Sequence, residues 1–213
     1  SYVGDTQPSI TSSFERMWSP ISVDLQLADG TPVYDWMDGR YLAEHFEARG
    51  AAPVFGFVGK NDHGVGWEEK IPPFQALEAH RAGGAWYWDQ RTHFDHQDLT
   101  AWSPVQTDWQ RLYRYRLDLS YPALSNCSVN SDPGDGDPAV GDSVGTINGF
   151  VDWDDQILDE HQLWQCVLRP RSPLTTSGPL VPVGAITVDV TPRRLQKFIV
   201  SSRTSYRYTV TDA

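Results

Sequence analysis

The chain reads as an α/β layer followed by an all-β antiparallel sandwich, and three features of the sequence predict that order. Up to about residue 100, strand-like and helix-like segments take turns. From about Trp109 onward, apolar residues fall at every second position instead. Between Gln97 and Asp108 neither rhythm holds, which places a boundary there and gives two expected domains, 1–104 and 105–213. With 213 residues, each half is long enough to bury a modest core.

In the first half, residues 21–25 (ISVDL) alternate like a short strand. Residues 41–49 (YLAEHFEAR) have a helical pattern that Gly50 stops. Residues 53–58 (PVFGFV) form a short apolar run of the kind found in buried parallel strands. Residues 73–81 (PFQALEAHR) predict a helix, with Pro73 in its first turn and Gly83-Gly84 at its end. Residues 85–88 (AWYW) are another short strand. Strand, helix, strand, helix, strand implies a parallel sheet covered by helices.

In the second half, Tyr113, Tyr115, Leu117, Leu119 and Tyr121 alternate with Arg114, Arg116, Asp118 and Ser120. Trp164, Cys166 and Leu168 make a second ladder, Ile186, Val188 and Val190 a third, and Tyr206, Tyr208 and Val210 a fourth. Further strands are expected within 146–153 and 197–201. Short strands of this number among Pro/Gly-rich turns predict a sandwich. Cys127 and Cys166 are expected to form one disulfide tying its two sheets together; the other reading is two buried free thiols.

A formal charge of −11 with few lysines repels phosphate backbones and excludes nucleic acid as an expected partner. No apolar run approaches the roughly 18 residues of a membrane span. Ser1-Tyr2-Val3-Gly4 carries neither an initiator Met nor a basic-then-apolar leader, so a processed chain, a fragment or part of a longer protein is expected. The acidic, Trp-rich composition and the cysteine pair point to a secreted or periplasmic protein.

Chemistry is expected where the first two buried strands end. Residues 59–67 (GKNDHGVGW) follow one, and 88–93 (WDQRTH) complete the next. A carboxylate after one parallel strand and a histidine after its neighbour can meet at the carboxyl edge of the sheet. There Asp62 accepts a hydrogen bond from the His93 imidazole, fixes its tautomer and stabilises the imidazolium.

The order strand, G-x-x-D-x-x-V, helix, strand, His resembles the end of the α/β-hydrolase fold over about residues 20–97. The wording GKNDHGVGWEEK and then YWDQRTH is similar to secreted bacterial esterases and polyester-depolymerase-like serine hydrolases. The resemblance implies the C-terminal portion of an α/β-hydrolase parallel sheet. It also implies Asp62 and His93 as acid and base of a Ser-His-Asp triad, a small ester or polyester substrate, and no cofactor. The serine motif G-x-S-x-G has no match upstream of Asp62. Gly141-Asp142-Ser143-Val144-Gly145 fits its letters, but it follows the histidine, sits in a Pro/Gly/Asp loop and leads into a strand. The nucleophile is therefore expected from an upstream N-terminal fragment or subunit; otherwise the polypeptide is catalytically inactive.

Blander readings stand beside these. Asp62 could be a helix N-cap or an ordinary turn carboxylate. His96 competes with His93 as base, and His93-Phe94-Asp95-His96 could be a metal fragment. His63, His45 and His80 read as surface residues, His63 also as pocket wall. Trp67 is either a substrate-pocket wall or core. Ser1 could serve as an N-terminal nucleophile, although the sheet pattern does not suit it. Asp132, Asp135, Asp137 and Asp142, set among Gly134, Gly136 and Gly141, offer hard oxygens for Ca²⁺ or form an acidic surface loop. Asp152, Asp154, Asp155, Asp159 and Glu160 read as a solvated hairpin. A different class of function is a non-catalytic binding or scaffolding protein. In it, Tyr113, Tyr206 and Tyr208 on the β-sandwich face a polymer, a carbohydrate or a cell surface.

Overall fold

The computed structural model describes residues 20, 23, 25–45, 53–93, 114–171 and 184–211. The expected boundary at 97–108, together with Ser1, His96 and Tyr113, lies outside them. So do parts of the predicted strand at 21–25 and helix at 41–49.

Two short helices come first, α1 (Val33–Met37) and α2 (Gly39–Glu44). Buried Asp38 joins them and caps α2, its carboxylate accepting the backbone N–H of Arg40 at 2.7 Å and of Tyr41 at 3.4 Å. Strand β1 (Val54–Gly59), helix α3 (Trp67–Ala79) and strand β2 (Gly84–Asp89) follow. β1 and β2 pair in parallel, from Val54 opposite Gly84 to Gly59 opposite Asp89.

Helix α3 begins at Trp67 rather than at Pro73, and it keeps both Pro72 and Pro73 inside. Each proline removes a backbone donor, yet Trp67, Ile71 and Phe74 pack into one buried cluster with Trp88 and Ile147. That burial carries the helix through the prolines. Its end is also set differently from the expected glycine stop. Ala82 N–H reaches Leu77 O at 3.0 Å and Arg81 N–H reaches Glu78 O at 3.0 Å, so Arg81 (φ 51°) takes the left-handed position.

The parallel sheet of an α/β-hydrolase is not what forms. Among the described residues, parallel pairing is confined to β1 and β2, and most of the strands lie in small antiparallel ladders. The reason lies at the far edge of β2, where β4 (Gly145–Ile147) pairs antiparallel and closes a mixed sheet of order β1-β2-β4. Fully buried Thr146 donates its hydroxyl to Trp86 O at 2.7 Å. The Trp88 ring lies where a Cβ on Gly145 would stand, 2.3 Å away, so glycine alone admits this contact.

Among the described residues of the second half, the strands other than β4 form two-stranded antiparallel ladders rather than the two continuous sheets of a sandwich. β3 (Tyr121–Ser125) pairs with β9 (Asp189–Arg193), β5 (Val151–Trp153) with β8 (Leu168–Pro170), and β6 (Leu158–Glu160) with β7 (Leu163–Gln165). The first two ladders supply a core of Tyr121, Ala123, Leu124, Cys127, Val151 and Trp153. Within the described part of the alternating run, 114–120 form no strand: Leu117 and Leu119 are exposed, and β3 starts only at Tyr121. The run at 146–153 is split by Asn148 in the left-handed region (φ 59°). Residues 197–201 and 206–210 join no ladder, and Tyr208 is 89 % exposed.

Two further expectations are overturned here. Cys127 and Cys166 are free thiols, not a disulfide. Cys127 is packed into the core just named, and burial pushes both thiols up, Cys166 to about 11. The acidic run is not a solvated hairpin throughout either. The Asp152 side chain is buried against Arg114 (3.1 Å), Arg169 (3.4 Å) and Arg171 (3.6 Å), and Arg114 also pairs with Asp155 at 2.6 Å. Among the described residues, no helix is long and apolar enough to cross a membrane.

Candidate functional site

Asp62 sits in the turn between β1 and α3, three residues past the end of the strand. Its Oδ1 accepts the backbone N–H of Gly64 at 2.8 Å and of Val65 at 3.1 Å, an Asx turn that reverses the chain toward α3. His93 lies four residues past the end of β2. Because β1 and β2 are parallel neighbours in register, both loops leave the same edge, and His93 Nδ1 stands 2.9 Å from Asp62 Oδ1. An ionised carboxylate only accepts, so the shared proton belongs to Nδ1 and His93 donates it.

The carboxylate is held from the other side as well. Lys70, one turn into α3 and buried, donates from Nζ to Asp62 Oδ2 at 3.0 Å and to Gly59 O at 3.0 Å. Burial by itself raises the Asp62 pKa. The Lys70 hydrogen bond, the two backbone amides and the Lys70 charge outweigh it and hold the carboxyl below its ordinary value. Burial in turn draws the Lys70 pKa down, against the pull of Asp62, Glu69 and Glu68. The Asp62 side chain is 14 % exposed and that of His93 47 %, so the acid is sheltered and the imidazole faces outward. Gly64 provides the floor beneath the ring: a Cβ there would lie 2.8 Å from His93 Nδ1.

Neither a protein-family model, nor a curated protein, nor a solved structure matches the chain. Its chemistry is therefore read from these side chains alone.

Other candidates fall elsewhere. Trp67 is 1 % exposed and belongs to the core, its indole N–H donating to Pro133 O at 2.8 Å. His63 and His80 are exposed, and His45 is exposed with its ring stacked on Tyr41. Ser143 is exposed in a loop, its carbonyl accepting from Gln90 Nε2 at 2.8 Å.

The acidic loop holds a cation of the protein's own. Lys60 is fully buried, and its ammonium donates to Val140 O at 2.7 Å and Asp142 O at 3.0 Å. Burial lowers its pKa, while the charges of Asp132, Asp142, Asp137 and Asp135 oppose that shift. Their carboxylates accept backbone N–H groups: Asp132 from Gly134, Asp135 from Asp137, Asp137 from Ala139 and Asp142 from Asp132. Among the described residues, no group of three or more His, Cys, Asp or Glu side chains is arranged to hold a metal ion.

Lys70 and Lys60 are the residues that sequence reasoning missed. Their one available signal was rarity: in a chain with so few lysines, two flank Asp62.

Proposed function

We propose that Asp62 and His93 are the acid and base of a hydrolytic site acting on ester carbonyls, with the nucleophile supplied by an upstream segment or a separate chain. The observation that carries this reading is the 2.9 Å contact from His93 Nδ1 to a sheltered carboxylate held below its ordinary pKa. With Nδ1 committed to Asp62, Nε2 is the nitrogen that exchanges the proton. It takes the hydroxyl proton as the nucleophile bonds to the carbonyl carbon and the carbonyl pair moves to oxygen. His93 then returns that proton to the leaving alcohol as the C–O bond breaks, and water repeats both steps to free the acid. Asp62 stabilises the imidazolium between the two transfers.

The test is hydrolysis of a short-chain p-nitrophenyl ester by the native, fully assembled protein. His93→Ala should lower kcat on the order of 10³-fold or more, because triad members act as a unit. Near-full turnover by His93→Ala would end the reading. A fluorophosphonate probe on the same material identifies the chain that carries the activated serine.

A binding or scaffolding role is the second reading, favoured by one observation: Tyr206 is 46 % and Tyr208 89 % exposed. Aromatic faces in water suit a polymer, a carbohydrate or a cell surface. Pull-down on an insoluble polysaccharide or polyester, lost in a Tyr206→Ala/Tyr208→Ala double variant, would support it. Equal retention of both proteins would dismiss it.

A further inference from the structure

Resting on the dyad reading above, we infer that Lys60 is a positioning residue, clamping the loop at 131–143 onto both chain segments that present Asp62 and His93. A fully buried ammonium must find acceptors or lose its charge. Lys60 finds two backbone carbonyls, Val140 O at 2.7 Å and Asp142 O at 3.0 Å, both on a loop about 80 residues away in sequence. It stands two residues before Asp62, at the head of the turn that aims that carboxylate.

One atom links the two sides. Asp142 O accepts Lys60 Nζ from the Asp62 segment and also Trp88 Nε1, at 2.9 Å, from the His93 segment. Two contacts repeat the pattern around it. Trp67 Nε1 reaches Pro133 O at 2.8 Å from the first segment, and Gln90 Nε2 reaches Ser143 O at 2.8 Å from the second. Gln90 is tied back to the first, its Oε1 accepting Asn61 Nδ2 at 2.9 Å. A single loop thus bonds to residues on either side of the Asp62–His93 contact and fixes their separation. Displacement of about 1 Å in a catalytic pair can cost about 100-fold in rate.

The readout is the hydrogen-bonded His93 Nδ1–H resonance in ¹⁵N-edited NMR of the full chain, with kcat and KM on the ester where turnover is present. Lys60→Met keeps the aliphatic stem and removes the donors. In the folded variant, judged by a cooperative melt, the resonance should broaden or vanish. Its kcat should fall about 10- to 100-fold with KM within about twofold. A folded Lys60→Met that retains the resonance unchanged overturns the inference. Should Lys60→Met not fold, Lys60→Gln, which removes the charge and shortens the reach to Val140 O and Asp142 O, takes its place, and an unchanged resonance there overturns it equally. Loss of the resonance in Lys60→Met, beside an assembled protein in which His93→Ala keeps near-full turnover, would leave the positioning role standing and remove the dyad reading instead.

Discussion

One methyl group separates the dyad from the rest of the fold. Gly64→Ala would place its Cβ 2.8 Å from His93 Nδ1 and 3.1 Å from Cε1 and Cγ, where ordinary contact begins at 3.4 Å. The ring has to retreat by about 0.6 Å. Because the side chain is 47 % exposed, it can do so without disturbing the core. Starting from 2.9 Å, a retreat of that size takes the Asp62 contact to the outer limit of a hydrogen bond. Gly64 has no positive φ, so alanine is tolerated by the backbone. The expected result is a melting temperature within about 2 °C of the parent. Ester hydrolysis should fall by about 10²- to 10⁴-fold, the span associated with a misdirected general base. The assay is kcat/KM on a p-nitrophenyl ester beside a calorimetric melt of the same sample. Parent-like turnover in Gly64→Ala would refute the reasoning, since His93 would then work without its contact to Asp62.

Asp152→Ala should cost about 1–3 kcal/mol by chemical denaturation, because it removes the buried carboxylate that Arg114, Arg169 and Arg171 share while Arg114 keeps Asp155; a loss below about 0.5 kcal/mol would show that the remaining partners satisfy the guanidinium groups. Asp62 and Asp159 both have folded pKa values below the ordinary 3.8, Asp159 because the N–H groups of Gln196, Phe198 and Lys197 and the Ser120 hydroxyl overcome its desolvation. As pH falls the unfolded chain takes up these protons first, so their contribution is intact above about pH 4 and is lost as pH drops through the folded values. Asp159→Asn should accordingly show a shallower loss of stability in acid, and an identical slope would deny these hydrogen bonds to Asp159 a role. Finally, both thiols should resist a thiol reagent in the native protein at pH 8, and both should react once it is unfolded without reductant; a zero count in denaturant would restore the disulfide.

The local parts of the fold were legible because each rests on a strong local signal. PVFGFV and AWYW are short, apolar and bounded by turn residues, and they become β1 and β2. Their parallel pairing follows from the helix between them, and the meeting of Asp62 and His93 follows from that pairing. What closes the sheet was not legible. Gly145–Ile147 is three residues long, and nothing local says that it leaves the second half to pair with β2. Its placement is decided by Trp88 lying over Gly145 and by the Thr146 hydroxyl, both contacts between residues far apart in sequence. The cysteines misled for a related reason. Alternation placed Cys166 on an inward face, but period two reports which residues could be buried, not which sheet a strand joins. Nor was it legible that the acidic loop offers its backbone carbonyls to Lys60, about 80 residues away.

Turn carboxylate and triad acid were rival readings of Asp62, and the geometry makes them one. Oδ1 receives the Gly64 and Val65 amides as well as the imidazole, while Oδ2 is occupied by Lys70. The turn therefore orients the acid, and the lysine pulls its pKa down against the cost of burial. It follows that Asp62→Asn is a poor probe of catalysis, since it weakens the turn, the Lys70 pair and the histidine contact together. A loss of activity there would be shared among three causes. Gly64→Ala leaves the Lys70 pair untouched and moves only the ring, and Lys70→Met leaves the ring in place and removes the charge. If the dyad is the working unit, the first should lower turnover by about 10²- to 10⁴-fold with little change in stability, and the second should cost stability before it costs turnover. Were both to behave alike, Asp62 would be a structural carboxylate that happens to touch a histidine.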